Sequence, residues 1–205
     1  MAVAAVALVS RRVVLAGLAL GATLTVKALL APMVVLFFVW LAAETRRGRL
    51  DRGRAWRAAA ATVAPAVATA VPFLLWHPVD FLTDAVAYPL GLVADAYPIS
   101  GNGLAAQLLR AGVVTDPFGP SPLWATTLPA ALVVVAGAWW VWSRPGLRTL
   151  LGVSGLVLLG VLFFHRSFMF YYVAAPATAF ALAALVPVRT PGAASGRPPE
   201  PATTA

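Results

Sequence analysis

Cysteine is absent from this chain of 205 residues, which excludes a disulfide framework and any thiolate metal site. Charge is scarce too: 11% of residues are charged, with seven acids against fifteen Lys and Arg. Lysine occurs once, at position 27. The two histidines, His77 and His165, stand too far apart in sequence for a zinc-binding spacing. There is no phosphate-cradling glycine loop and no nucleophile elbow, since Gly101-x-Gly103 alone is too little. No metal and no cofactor is therefore expected. The net charge of +8 would point to nucleic acid in a soluble protein. Here the cations flank long apolar runs, so a nucleic-acid partner is not expected and membrane topology explains them.

What the chain does have is apolar sequence: 61% hydrophobic residues and a mean hydropathy of +0.87. These values belong to an all-α, polytopic transmembrane bundle. An outer-membrane barrel would alternate apolar and polar residues over about 10 positions, and these runs are continuous. Abundant Arg, Ala, Gly, Val and Pro are the composition of a GC-rich bacterial genome.

A crossing helix needs about 20 apolar residues. Segments 58–76, 124–142 and 167–187 fit, and 150–164 reaches the length with its flanks. The run 13–43 is too long for one straight span and is split at Lys27 into 13–26 and 28–43, with Pro32 early in the second. Six spans with one long loop, 77–123, result. The Pro-, Ala-, Gly- and Thr-rich segment 188–205 is expected to be a disordered tail, leaving 1–187 as the transmembrane domain. Ser10-Arg11-Arg12 before an apolar run resembles a twin-arginine export signal. Leu29 and Pro32 spoil the cleavage site, and more membrane sequence lies beyond it. Gly17 and Gly21 form a small-xxx-small pair suited to close helix packing within the chain.

Arginine sidedness sets the orientation. Arg46, Arg47, Arg49, Arg52, Arg54 and Arg57 crowd one inter-span loop and should be cytoplasmic. Both termini then lie in the cytoplasm of a plasma-membrane protein, and only Lys27, Arg110 and Arg166 among the cations fall outside. The outer face thus gathers Lys27, the loop 77–123 and the pair His165-Arg166. A charge at membrane depth is costly unless used or compensated, and a lipid phosphate would compensate it. Within the loop, Asp80, Asp84 and Tyr88 share a helical face at i, i+4, i+8. Ser100 or Asn102 could cap a second short helix ending at Gly112, and 97–103 reads as a tight turn. Asp80, Asp84, Tyr97 and Asn102 are the candidate acceptor contacts. Each also has a structural reading: the two Asp as a solvated helix face, Lys27 as a snorkelling cation, and His165-Arg166 as a polar cap between spans.

The stretch 12–32 (RVVLAGLALGATLTVKALLAP), the basic loop, Pro72 to Pro78 (PFLLWHP), 97–104 (YPISGNGL), and 163–168 (FFHRSF) followed by Tyr171-Tyr172 resemble GT-C type glycosyltransferases. These are bacterial polytopic enzymes, including mannosyltransferases, that use polyprenyl-phosphate sugars. The resemblance implies extracytoplasmic transfer to an acceptor, with Lys27, His165 and Arg166 at the donor's phosphate. It also implies a carboxylate base in a first external loop, yet Met1 to Ser10 contain no acid, and Asp80, Asp84, Asp95 and Asp116 do not match that position. The chain therefore resembles the C-terminal half of a longer enzyme, with a missing N-terminal half or partner chain, and is expected to be inactive alone. The alternatives are a transporter or lipid-flippase subunit, for which the spans offer few polar groups besides Lys27, and a membrane subunit without a ligand.

Overall fold

The computed structural model describes residues 2–187, so the expected tail lies outside the described residues. Helices dominate. α1 (Ala2–Val9) and α2 (Val13–Val26) form a hairpin closed by Ser10 to Arg12, with Arg11 at φ +58°. The helix α1 was not expected from the sequence, because eight residues are too few to register as a span. α2 ends where the apolar run was split: Lys27 is extended at φ −150°, and a 3₁₀ turn (Ala28–Leu30) leads into α3 (Ala31–Arg46). Pro32 falls in the first turn of α3, where its missing N–H costs nothing.

α4 (Arg52–Trp76) begins six residues before the expected span, because Asp51 caps it by accepting from the Arg54 N–H at 2.9 Å. Trp56 and Trp76 are both 77% exposed and stand 20 positions apart, which at 1.5 Å per residue is about 30 Å. That matches the hydrocarbon thickness, the spacing expected of a crossing helix with an indole near each end. The loop after α4 is partly helical: α5 (Pro78–Leu82), a π turn (Thr83–Ala87), α6 (Tyr88–Leu90) and α7 (Leu104–Arg110). α8 (Thr127–Ser143), α9 (Leu147–Phe164) and α10 (Ala174–Leu185) complete the bundle.

Among the described residues, three helical stretches are long and apolar enough to cross a membrane: Ala28–Arg46, Arg52–Trp76 and Leu147–Phe164. Val13–Val26, Thr127–Ser143 and Phe170–Leu185 are apolar but shorter. The segment expected as a span from 167 instead opens with a strand, β2 (Ser167–Phe168), and a 3₁₀ turn, Phe170–Val173. β2 pairs in parallel with β1 (Ser100–Gly101), so backbone groups that a helix would have satisfied are committed across the chain.

α9 sits at the centre, packed on α3, α8 and α10, while α2 packs mainly on α4. Leu36, Phe37 and Trp40 of α3, Val141 of α8, and Val153, Val157 and Leu158 of α9 form the main core with Leu20 and Ala58. Gly17 lies against Ala58 and Gly21 against Thr62, so α2 and α4 run parallel in close backbone approach. A Cβ on Gly21 would stand 2.1 Å from the Thr62 carbonyl oxygen. The small-residue pair therefore packs inside the chain. The bundle has two distinct ends. Arg47 donates to the Ser143 carbonyl (2.9 Å), and Arg46 lies 5.2 Å from the Trp142 ring, tying the α3 and α8 termini at one end. Lys27, the 77–126 segment and the His165 junction gather at the other.

Candidate functional site

Lys27 reaches this end because α2 stops there. Its backbone N–H still closes the last turn on the Thr23 carbonyl at 3.1 Å, and its cation lies at the negative end of the helix dipole. The ammonium stands 4.1 Å from the Tyr172 ring centroid and 5.4 Å from that of Tyr171, within cation–π range. This aromatic pair was not assigned a role from the sequence. Its position a few residues beyond Arg166, on the same expected side as Lys27, was the available signal.

Lys27, Tyr97, His165 and Tyr172 line one cleft of about 440 Å³. Its remaining walls are mostly apolar, including Leu29, Pro32, Val86 and Leu90. A second cavity of about 220 Å³ adjoins it, sharing Pro32, Pro89, Leu90, Val161 and His165, and bordered by Arg166 and Thr126. His165 thus stands between the two chambers. Its Nδ1 is 3.1 Å from both the N–H and the carbonyl of Ser167. When Nδ1 accepts from that N–H, the proton of the neutral ring sits on Nε2. Burial holds the imidazole below its ordinary value, the neighbouring Arg166 adds to this, and the Ser167 backbone hydrogen bond opposes it.

Arg166 is 2% exposed and turned toward the loop. Its Nε donates to the Tyr97 carbonyl, one Nη to Ser121 Oγ, and the other Nη to the Pro117 carbonyl at 2.9 Å. One guanidinium fork therefore gathers three points of a segment remote in sequence. The strand pair reinforces it: the Ser100 N–H bonds the Arg166 carbonyl (3.2 Å), the Asn102 N–H bonds the Phe168 carbonyl (3.0 Å), and the Ser100 and Ser167 hydroxyls meet at 2.8 Å. Gly101 is required here. Its φ is +82°, and a Cβ would fall 1.8 Å from the Phe168 carbonyl oxygen. Arg110 holds the Gly101 carbonyl from the other side at 2.8 Å. Pro117, Ser121 and Gly91, which packs under the guanidinium, carried no sequence signal for this role.

Other loop expectations are corrected. The segment 97–103 is a strand partner rather than a free tight turn. Neither Ser100 nor Asn102 caps α7, whose N-cap is Gly103, because their backbone groups are held by the strand pair. The shared face of Asp80, Asp84 and Tyr88 is broken by the π turn, whose extra residue rotates the next turn of helix by roughly 100°. Pro89, which has no N–H to close that turn, comes at once. Tyr88 instead meets Tyr97 edge-on, with centroids 6.0 Å apart. Asp80 is exposed beside His77, Nδ1 to Oδ2 3.8 Å, and Asp84 is exposed; neither lines the cleft. Asn102 is also exposed and outside it.

Among the described residues, no group of three or more His, Cys, Asp or Glu could hold a metal ion. What the cleft offers is an ammonium, a half-buried imidazole and tyrosines on apolar walls, which suits an amphiphile with an anionic head. No curated protein and no solved structure matches the chain. The sequence model described as Glycosyltransferase family 87 matches residues 1–165 of the 205, and the chain belongs to that glycosyltransferase family.

Proposed function

We propose that this family 87 chain, alone or with a further segment or partner chain, transfers a mannose-like sugar from a polyprenyl-phosphate donor to an extracytoplasmic acceptor. The observation that carries this reading is the cleft that Lys27 and His165 share at the end opposite the arginine cluster, with apolar walls suited to an isoprenoid stem. In the transfer, an acceptor hydroxyl attacks the anomeric carbon as the bond from that carbon to the phosphate oxygen breaks. The lipid phosphate departs with the bonding pair and one more negative charge. The Lys27 ammonium, free of any ion pair among the described residues, and the His165 ring N–H would stabilise that charge as it develops. Arg166 acts in this scheme by holding Tyr97 at the cleft wall and by bordering the second chamber.

The proton of the acceptor hydroxyl needs a base, and no carboxylate lines either chamber among the described residues. Asp84 directly precedes Ala85 and Val86 of the cleft wall, and this adjacency in the chain supports it as the base once an acceptor is bound, although its own side chain lies outside the cleft. The positive-inside rule supports a cytoplasmic arginine end, and three long and three shorter apolar helices support six crossings, of the plasma membrane in this reading. In the complete protein, Lys27→Ala and His165→Ala are each expected to lower turnover of a prenyl-phosphate sugar about 10- to 100-fold. That is less than the roughly 10²–10³ of an enclosed oxyanion donor, because Lys27 is exposed. Unchanged kcat and KM in both variants would remove the phosphate-site assignment.

A further inference from the structure

The arginine-rich end holds a cavity separate from the cleft. α3 and α4 are consecutive and joined by a short loop, yet they pack little along their lengths. Gly17 and Gly21 draw α4 onto α2, while α8 and α9 hold α3. The two helices leave between them a groove of about 640 Å³, within the roughly 300–1,000 Å³ range of ligand-burying pockets. Positions 38, 41, 42 and 45 of α3 and positions 52, 55, 56 and 59 of α4 line it. Both sets follow i, i+3, i+4, i+7, so two helical stripes line one space. Phe38, Leu41 and Ala59 make its apolar depth; Arg46, Arg52 and the exposed Trp56 stand at its loop end.

No carboxylate lines the groove. The two nearby acids are engaged elsewhere, Glu44 with Arg49 at 3.6 Å and Asp51 with the Arg54 N–H. Among the described residues, neither Arg46 nor Arg52 has an ion-pair partner. We propose that the groove binds one anionic phospholipid from the leaflet on the arginine side. Its acyl chain lies between the stripes, its phosphate takes charge-assisted hydrogen bonds from Arg46 and Arg52, and the Trp56 indole marks the interface depth. The site lies at the opposite end from the proposed transfer and stands or falls apart from it.

The test is native mass spectrometry of the full chain in detergent, titrated with dioleoyl-phosphatidylglycerol and, separately, dioleoyl-phosphatidylcholine, which share acyl chains and differ in head charge. One phosphatidylglycerol should bind per chain, at least tenfold more tightly than phosphatidylcholine. The double variant Arg46→Gln/Arg52→Gln should weaken it roughly 30-fold, the worth of two cations facing an anionic head. Ala42→Trp, which fills the groove without changing charge, should abolish it. Arg144→Gln/Arg148→Gln, an equal charge loss outside the groove, should leave it intact. Equal affinity for the two lipids, an equal loss in the Arg144/Arg148 variant, or a groove occupied by a second copy, read as a dimer in the same spectra, would overturn the proposal.

Discussion

Replacing Arg166 by Leu removes the donor to three acceptors at once: the Tyr97 and Pro117 carbonyls and the Ser121 hydroxyl. Hydrogen bonds to a charged donor are worth about 1.5–3 kcal/mol each, but three made by one group do not add. The substitution strands no charge, only two carbonyls and a hydroxyl, so the cost is that of charge-assisted hydrogen bonds lost to neutral acceptors. Tyr97 is 39% exposed, so water partly re-solvates its carbonyl, and the total stays near that of the strongest single bond, about 3 kcal/mol. The strand pair and the Ser100–Ser167 hydroxyl contact use other atoms and remain, so this energy goes into local opening of the loop. At about 1.4 kcal/mol per tenfold, the open fraction rises about a hundredfold. Trypsin reads it directly, because Arg110 is the one Lys or Arg between positions 77 and 123. With reclosing faster than cleavage, the rate at Arg110 follows the open population, and cutting at the exposed Arg49 of the 47–51 loop serves as internal reference. Arg166→Lys should rescue little, since an ammonium cannot span acceptors arranged around a guanidinium fork. A Leu variant cut at the wild-type rate, or a Lys variant indistinguishable from wild type, would refute the clamp.

Gly21→Ala should push α2 off α4 and cost about 1–3 kcal/mol by overpacking, lowering the melting temperature in detergent. Gly152→Ala, whose new Cβ would meet only the Ala183 Cβ at 3.8 Å, should melt as wild type does. His165 is held below its ordinary pKa of 6.5 by burial, so the unfolded chain takes up its proton first as pH falls. Stability from this group is complete above pH 6.5 and is lost from there down to the folded pKa. The drop in melting temperature between about pH 7.5 and 5.5 should shrink in His165→Asn, and an unaltered drop would sink the assignment. Because the chain has no cysteine, Lys27→Cys and Arg54→Cys are unique labels. An impermeant maleimide applied to intact cells should modify the first and spare the second, and the reverse pattern would invert the topology.

The glycosyltransferase resemblance read from scattered motifs agrees with the family to which the chain belongs. The segregation of Lys27 and His165 from the arginine cluster was likewise legible, because charge position relative to apolar runs is a one-dimensional property. The break at Lys27 was legible for the same reason. The loop was not. Its i, i+4, i+8 stripe presumed an uninterrupted α-helix, and a single π turn displaced Tyr88 from it.

Sequence alone determined that this chain is helical and apolar, that its first apolar run breaks at Lys27, and which charges share an end, since each depends on local composition and spacing. Only the tertiary structure decided that Arg166 turns inward to clamp the loop, that Tyr171 and Tyr172 receive Lys27, and that 100–101 adds a strand to 167–168. Those pairings join residues some 45 to 145 positions apart. Nothing in one stretch of chain specifies which buried donor will find which distant carbonyl until packing brings them together.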